Sequence, residues 1–195
     1  MGRWEPDARG RLGRAAMDLY AEVGYEQATV AEIADRAGVT ARTFFRHFAD
    51  KREVLFAGSD ALVEQLVGAV DAAALTDAPL TVVAAALDVV ATFIGEDRDY
   101  SRRRQAVIAA NADLQERELA KLASWSRILA DGLRRRGVGE PTASLAAETG
   151  VAAFRVAFNQ WLAGPAKRTL RDTLRESFDQ LRGVVGGTSA GAPQR

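Results

Sequence analysis

Apolar residues recur at intervals of three and four along most of the chain, and the alternation typical of a half-buried strand is absent. This spacing predicts an all-α fold of about nine helices. The first helix is expected at residues 7–23, where an apolar stripe from Leu12 to Val23 precedes Gly24. The later helices are expected at residues 30–37, 41–48, 51–73, 80–95, 100–111, 113–136, 141–163 and 167–185.

Two of the expected helices are short and are framed by helix-capping residues. Thr29 and Glu32 have the spacing of a capping box, and so do Asp50 and Glu53. The stretch "AGVT", residues 37–40, lies between the two short helices and supplies a small residue, a glycine, an apolar residue and a cap. This order of features predicts a helix-turn-helix.

The second helix of this pair has two chemically different faces. On a helical wheel, Phe44 and Phe48 coincide on one face, and Arg42 and Arg46 lie opposite. Residues 36–52 contain five Arg or Lys residues against one Asp, a local net charge of +4. A free basic face of this kind suits the major groove of DNA, although a basic face on a short helix is also often only solvated.

The composition excludes several classes of function. Lys plus Arg and Asp plus Glu each number 26, so affinity for phosphate must come from local clustering. The absence of cysteine excludes disulfides, thiolate nucleophiles and cysteine zinc sites, and fits a reducing cytosol. No signal peptide or membrane span is expected from the apolar runs. No catalytic, cofactor or metal-binding motif is visible, so we expect neither an enzyme nor a cofactor.

The stretch "TVAEIADRAGVTARTFFRHFADKREVLF" is similar to the N-terminal domain of TetR-family transcriptional repressors, and the similarity extends over residues 8–56. The resemblance implies a homodimer with an N-terminal DNA-binding domain. It also implies a larger helical domain that binds a small effector and dimerises through its last two helices.

The resemblance assigns DNA-contacting roles to individual residues. Phe45 stands where the family commonly has tyrosine; lacking the hydroxyl, it is expected to touch a thymine methyl rather than donate to phosphate. His47 contacts phosphate or only packs beside the phenylalanines. Lys51 starts a helix, where free N–H groups also favour phosphate. The resemblance implies base contacts from Ala41, Arg42 and Thr43, and a further DNA-facing cation at Arg46. The positions where the family often touches phosphate are occupied by Thr29, His47 and Lys51, and by Phe45, which lacks the donor.

The C-terminal stretch "RRRQAVIAANADLQERELAKLASW" resembles the effector domain of the mycofactocin-regulator branch, which implies an apolar or acyl-like effector. For Arg155 two roles stay open: a contact with an acidic ligand group, or an ion pair inside the fold, which is favoured. Residues 102–104, three arginines, are interpreted first as a solvated face, and second as an anion site or a contact with the DNA-binding domain. The expected pocket residues are Phe93, Asn111, Trp125, Arg155 and Asn159.

The last two predicted helices, residues 141–163 and 167–185, carry regular apolar stripes. Two such helices from each subunit would form a four-helix dimer interface. The alternative is that both stripes face the core of one monomer, and the spacing alone does not separate the two. The residues expected at the dimer interface are Phe158, Leu174 and Phe178.

Together these features predict a DNA-binding domain at residues 1–55, an effector and dimerisation domain at 56–185, and a disordered tail at 186–195. The expected function is a cytoplasmic, nucleoid-associated repressor that binds a palindromic DNA operator as a dimer and leaves it when a small molecule binds. Two alternatives remain: an activator of the same architecture, and an all-α ligand-binding or scaffold protein without a DNA function.

Overall fold

The computed structural model describes residues 7–186 and confirms the all-α prediction for them. The predicted tail lies outside the described residues from residue 187 onward. In chain order the helices are α1 Ala8–Val23, α2 Val30–Arg36, α3 Ala41–His47, α4 Lys51–Leu55, α5 Ser59–Ala72, α6 Pro79–Ile94, α7 Arg98–Ala109, α8 Ala112–Arg135, α9 Thr142–Ala163 and α10 Leu170–Val185.

The single helix predicted at residues 51–73 is wrong, because the chain forms α4 and α5 there. Gly58 has a φ of 83°, a left-handed conformation that glycine adopts without the steric cost of a side chain. This turn separates the two helices and raises the number of helices in residues 7–186 to ten.

Contacts divide the chain into two compact units. The first contains the chain up to Asp60 and also Arg102–Glu118, which cover most of α7 and the start of α8. The second contains Ala61–Ser101 and the chain from Leu119 onward. The domain boundary after residue 55 stays a prediction, but the presence of residues 102–118 in the first unit was not expected from the sequence.

The core of the second unit is formed where α6, α9 and α10 pack together. Trp125 and Trp161 are among its largest fully buried side chains. Gly150 of α9 lies against Val83 of α6, where an added Cβ would come within 2.2 Å of Val83 Cγ1. The glycine therefore allows α6 and α9 to approach closely.

Two arginine side chains donate hydrogen bonds to backbone carbonyls at helix ends in this unit. Arg98 donates to the carbonyl oxygens of Trp161, Gly164 and Pro165 at the end of α9. Arg136 donates to carbonyl oxygens of residues 70, 73 and 74 at the end of α5. Carbonyls at a helix end lack the N–H donors of a following turn, so the arginines add charged donors where the helix supplies few.

Within residues 7–186, no single helix is long and apolar enough to span a membrane, and only the bent pair α6 and α7 together meets the length and composition.

Candidate functional site

A tight turn joins α2 to α3. Gly38 has a φ of 66°, its N–H donates to Asp35 O at 2.9 Å, and the N–H of Val39 donates to Ala34 O at 2.9 Å. This pair of bonds is a Schellman motif, which ends α2 and reverses the chain. Thr40 then accepts from the N–H of Thr43 and begins α3. The predicted helix-turn-helix is therefore present.

The two faces of α3 are as the helical wheel predicts. Phe44 and Phe48 are buried, with ring centroids 5.6 Å apart, and anchor α3 in the first unit. Arg42 and Arg46 are exposed on the opposite side, and neither forms an ion pair with any residue in the described part of the chain. Phe45 is 58% exposed beside them. The exposed face of α3 therefore combines an aromatic ring with two cations that have no ion pair within residues 7–186.

The other residues expected to contact DNA are partly buried or already hydrogen-bonded within the fold, except for Ala41. The hydroxyl of Thr29 donates to Glu32 Oε2 at 2.7 Å within the predicted capping box. These bonds from Thr29 lower the pKa of Glu32. His47 is half-buried, and its Nε2 is buried without a hydrogen-bond partner among the described residues. Ala41 is exposed, and Thr43 is half-buried. The DNA contacts of these four residues stay predictions.

Lys51, at the start of α4, binds the loop between α1 and α2. Its Nζ donates to the carbonyl oxygens of Tyr25, Glu26 and Ala28 at 2.8, 3.0 and 3.1 Å. The ammonium also lies 4.6 Å from the centroid of the Tyr25 ring. Burial raises the pKa of Tyr25 to about 12, so the ring is neutral and the contact is a cation–π interaction. The sequence reasoning missed this internal role.

The interpretation of residues 102–104 as a solvated face is wrong for Arg104, whose side chain is 13% exposed, whereas Arg103 is exposed. Both arginines contact residues within 1–55, which agrees with the second interpretation. Arg103 pairs with Asp18 of α1 at 3.2 Å. Arg104 pairs with Glu118 at 2.7 Å, and its Nε donates to Leu55 O at 2.6 Å. These cations have partners that are remote in sequence, which a pattern along one helix does not show.

The ring of Phe56 contacts two guanidinium groups. The Cζ atoms of Arg104 and Arg117 are 5.2 and 5.0 Å from its ring centroid. Arg117 also pairs with Glu53 of α4. Through these contacts α4 is attached to α7 and to the first turns of α8, all within the first unit.

A groove of about 190 Å³ lies between α8 and α9 in the second unit. Of the residues expected to bind the effector, Arg155 lies among the described residues that line this groove. No carboxylate in residues 7–186 pairs with Arg155, so the favoured internal ion pair finds no partner there. The groove is lined by Leu119, Leu122, Ala123, Ser126, Glu148, Val151, Ala152 and Arg155.

The other expected effector residues lie elsewhere. Trp125 is buried in the core against Phe154, with centroids 5.5 Å apart. Phe93 is 50% exposed on α6, and Asn159 is exposed on α9. Asn111 belongs to the first unit, where its Nδ2 donates to the carbonyl oxygen of residue 107 at 2.7 Å. Ligand contacts by these residues stay predictions.

The residues expected at the dimer interface are mostly internal. Leu174 and Phe178 are 1% and 3% exposed within a single chain, and Phe158 is half-buried. Their role in a dimer stays a prediction, but they leave little area for a second copy to cover. On α9 the exposed large apolar residues are Leu145 and Val156.

Among the described residues no group of His, Asp and Glu has a geometry suited to a metal ion.

Comparison with known proteins agrees with this geometry. Residues 13–57 match the model of the bacterial regulatory proteins of the tetR family. Residues 77–186 match the model of the MftR C-terminal domain. The chain belongs to the TetR family. This is a family of transcriptional regulators, and the two matched regions cover both the helix-turn-helix and the helical domain that follows it.

Among relatives, this TetR-family chain is 27% identical to the provisionally named mycofactocin biosynthesis transcriptional regulator MftR of Mycobacterium tuberculosis, over 95% of this chain and 93% of that protein. The TetR-family repressor FadR of Thermus thermophilus, solved with lauroyl-CoA, is 24% identical, with a TM-score of 0.58 over 96% of this chain and 98% of that one. The fatty acid degradation regulator FadR of Bacillus halodurans is 18% identical, with a TM-score of 0.60 over 96% and 99%. At these identities the two structures support the fold alone.

Proposed function

We propose that this protein is a transcriptional repressor that binds a palindromic operator as a homodimer and is released by a small apolar or acyl-like effector. The observation that carries the proposal is the exposed face of α3, where Arg42 and Arg46 have no ion-pair partner in residues 7–186 while Phe44 and Phe48 are buried. A helix held in this way presents its cations outward, as a recognition helix does in the major groove.

In this proposal Arg42 reads a base edge and Arg46 contacts DNA beside it. Arginine suits guanine, because its guanidinium forms two parallel hydrogen bonds with the O6 and N7 acceptors. Phe45 is exposed next to them and offers an apolar contact for a thymine methyl group. Two such helices in a two-fold dimer would read half-sites about 34–36 Å apart, or a multiple of that distance.

The effector part of the proposal rests on the second unit. Its groove combines apolar walls with a few polar groups, which is the usual character of a small-molecule site. The Thermus thermophilus FadR structure contains lauroyl-CoA, which supports an acyl-like effector for the same fold. To release DNA, the effector must bind the arrangement that is incompetent for DNA more tightly than the competent one.

The test uses fluorescence anisotropy on DNA from the region upstream of the protein's own coding sequence. We expect affinity well above that for a shuffled duplex, with a strong salt dependence. Adding a panel of fatty acids of different chain lengths and of acyl-CoAs to the preformed complex should release the DNA for at least one member. Equal affinity for the shuffled duplex would overturn the DNA part, and a panel without effect would overturn the acyl-like effector.

A further inference from the structure

The groove between α8 and α9 is lined by two stripes of identical spacing. Residues 119, 122, 123 and 126 of α8 and residues 148, 151, 152 and 155 of α9 both follow i, i+3, i+4, i+7. Each stripe is one face of its helix. The groove is therefore built by two helix faces, and five of its eight lining side chains are Leu, Ala or Val.

A buried hydroxyl is left unsatisfied at this groove. Ser126 is 2% exposed, and its Oγ has no hydrogen-bond partner among the described residues. Ser124, two residues earlier, donates to Lys121 O at 2.6 Å. Buried hydroxyls almost always have a partner, because an unpaired one loses its bonds to water without replacement. Ser126 therefore has a hydrogen bond to offer to a ligand or a water at this groove.

Two opposite charges border the same groove. Glu148 and Arg155 are exposed, and neither is paired with another residue in the part of the chain that the structure describes. They are seven residues apart on α9, which is about 10 Å along the helix axis. Arg155 provides a site for one anionic group, whereas Glu148 repels a second anionic group at the other end of the α9 stripe.

The size of the groove limits its ligand. A volume of about 190 Å³ equals roughly six water molecules at about 30 Å³ each. Typical drug-sized sites are larger, about 300–1,000 Å³. A short chain with one polar end fits this volume, and so does the end of a longer molecule.

We propose that the α8–α9 groove binds a small monocarboxylate with an apolar chain. The carboxylate is held by Arg155, Ser126 donates a hydrogen bond to an oxygen of the ligand, and Leu119, Leu122 and Val151 contact the chain. Glu148 makes the groove selective for one negative charge over two. One part of this assignment rests on the proposed function, namely that the bound carboxylate acts as the effector. The binding of the carboxylate itself requires no DNA.

The experiment is a titration of ¹⁵N-labelled protein with hexanoate, followed by two-dimensional NMR. We expect saturable shifts that centre on residues 119–126 and 148–155. 1-Hexanol, which lacks the charge, and adipate, which has a second carboxylate, should both bind more weakly. Glu148→Gln should raise the affinity for adipate relative to hexanoate.

Matched variants separate the groove from unspecific binding. Arg155→Met should weaken hexanoate binding by about 10- to 100-fold, as expected for a lost charged hydrogen bond. Ser126→Ala should weaken it by about two- to tenfold. The controls Arg127→Met and Ser124→Ala lie on α8 outside the groove lining and should leave the affinity unchanged. Arg155→Lys, which keeps the charge, should retain part of the affinity for hexanoate. Circular dichroism checks that each variant is folded.

The proposal is overturned if hexanoate causes no saturable shift, if the shifts centre outside the groove, or if Ser126→Ala and Arg155→Met both bind like wild type. If Ser126 is hydrogen-bonded only to a water and the groove holds no ligand, hexanoate should cause no saturable shift. The repressor proposal fails in a different way, through loss of specific DNA affinity in the anisotropy assay. Hexanoate binding without DNA release would support the groove as a ligand site and contradict only its role as the effector site.

Discussion

Lys51 Nζ lies 2.8 Å from the carbonyl oxygen of Tyr25, and it also donates to the carbonyls of Glu26 and Ala28. In return, the hydroxyl of Tyr20 donates to Lys51 O at 2.7 Å. An ammonium has three hydrogens, and here each has a carbonyl acceptor. Lys51 therefore fixes the α1–α2 loop, and with it the start of α2, against the start of α4.

Lys51→Met should lower the stability of the first unit, because three loop carbonyls lose a charged donor. The expected cost is about 1–3 kcal/mol, since Lys51 is only partly buried and water replaces some of the bonds. Hydrogen exchange of amides in α1 and α2 measures this loss locally. Lys167→Met, at an exposed lysine of the second unit, is the control and should leave the exchange unchanged.

The same variant tests the phosphate contact expected of Lys51. A contact would lower the slope of log affinity against log salt by about one unit. Because the ammonium hydrogens are already used within the fold, we expect an unchanged slope in Lys51→Met. A slope reduced by one unit would show that Lys51 contacts phosphate in spite of its internal bonds.

Arg42→Ala should cost about 1–3 kcal/mol of operator affinity and relax the preference at one base pair. The reason is that Arg42 is exposed on α3 with no partner in residues 7–186 that would compete for its guanidinium. The measurement is anisotropy on an operator set with every single base substitution. Equal loss of affinity on all sequences would show that Arg42 touches only the DNA backbone.

The sequence predicted features that depend on residues close together in the chain. The Thr29–Glu32 capping box, the Gly38 turn and the two faces of α3 each need only a few neighbouring residues, and all are present. At α4 the Asp50 half of the second predicted box is present, since its side chain accepts from the N–H of Glu53, whereas the Glu53 side chain pairs with Arg117. The break at Gly58 was missed, because a glycine within an apolar helical pattern does not by itself show that the helix ends.

Contacts between remote segments were beyond the sequence pattern. The pairing of Arg104 with Glu118, and its bond to Leu55 O, join α4, α7 and α8. For the groove, Arg155 was expected, but Ser126 was not, since a serine in an amphipathic helix is usually solvated. Its lack of a partner becomes visible only once the surroundings are known.

Val156→Asp should dissociate the proposed homodimer without unfolding the chain. Val156 is 48% exposed on α9, so a carboxylate there stays in water in the monomer but would be buried against a partner. Sedimentation velocity should show a monomer with normal circular dichroism. Leu174→Asp, by contrast, should unfold the second unit, because Leu174 is 1% exposed in its core. A folded Val156→Asp dimer would place the interface away from this part of α9.

Arg104→Ala should destabilise the first unit by about 1–3 kcal/mol, because it removes charged hydrogen bonds from a partly buried ion pair. The side chains of Arg104 and Glu118 are 13% and 16% exposed, so Glu118 would lose a short, poorly solvated ion pair and Leu55 O would lose its donor. Arg103→Ala is the matched control on the same helix. Its pair with Asp18 is half exposed, and exposed pairs contribute about 0–1 kcal/mol.

Urea unfolding, followed by hydrogen exchange at α4 and α7, compares the two variants. A double-mutant cycle with Glu118→Gln isolates the energy of the Arg104–Glu118 pair. Because Arg104 also holds α4 through Leu55 O, exchange in α4 should rise more in Arg104→Ala than in Glu118→Gln. Similar losses for Arg103→Ala and Arg104→Ala would contradict the burial argument. Unchanged exchange in α4 would mean that Arg104 does not attach α4 to the rest of the first unit.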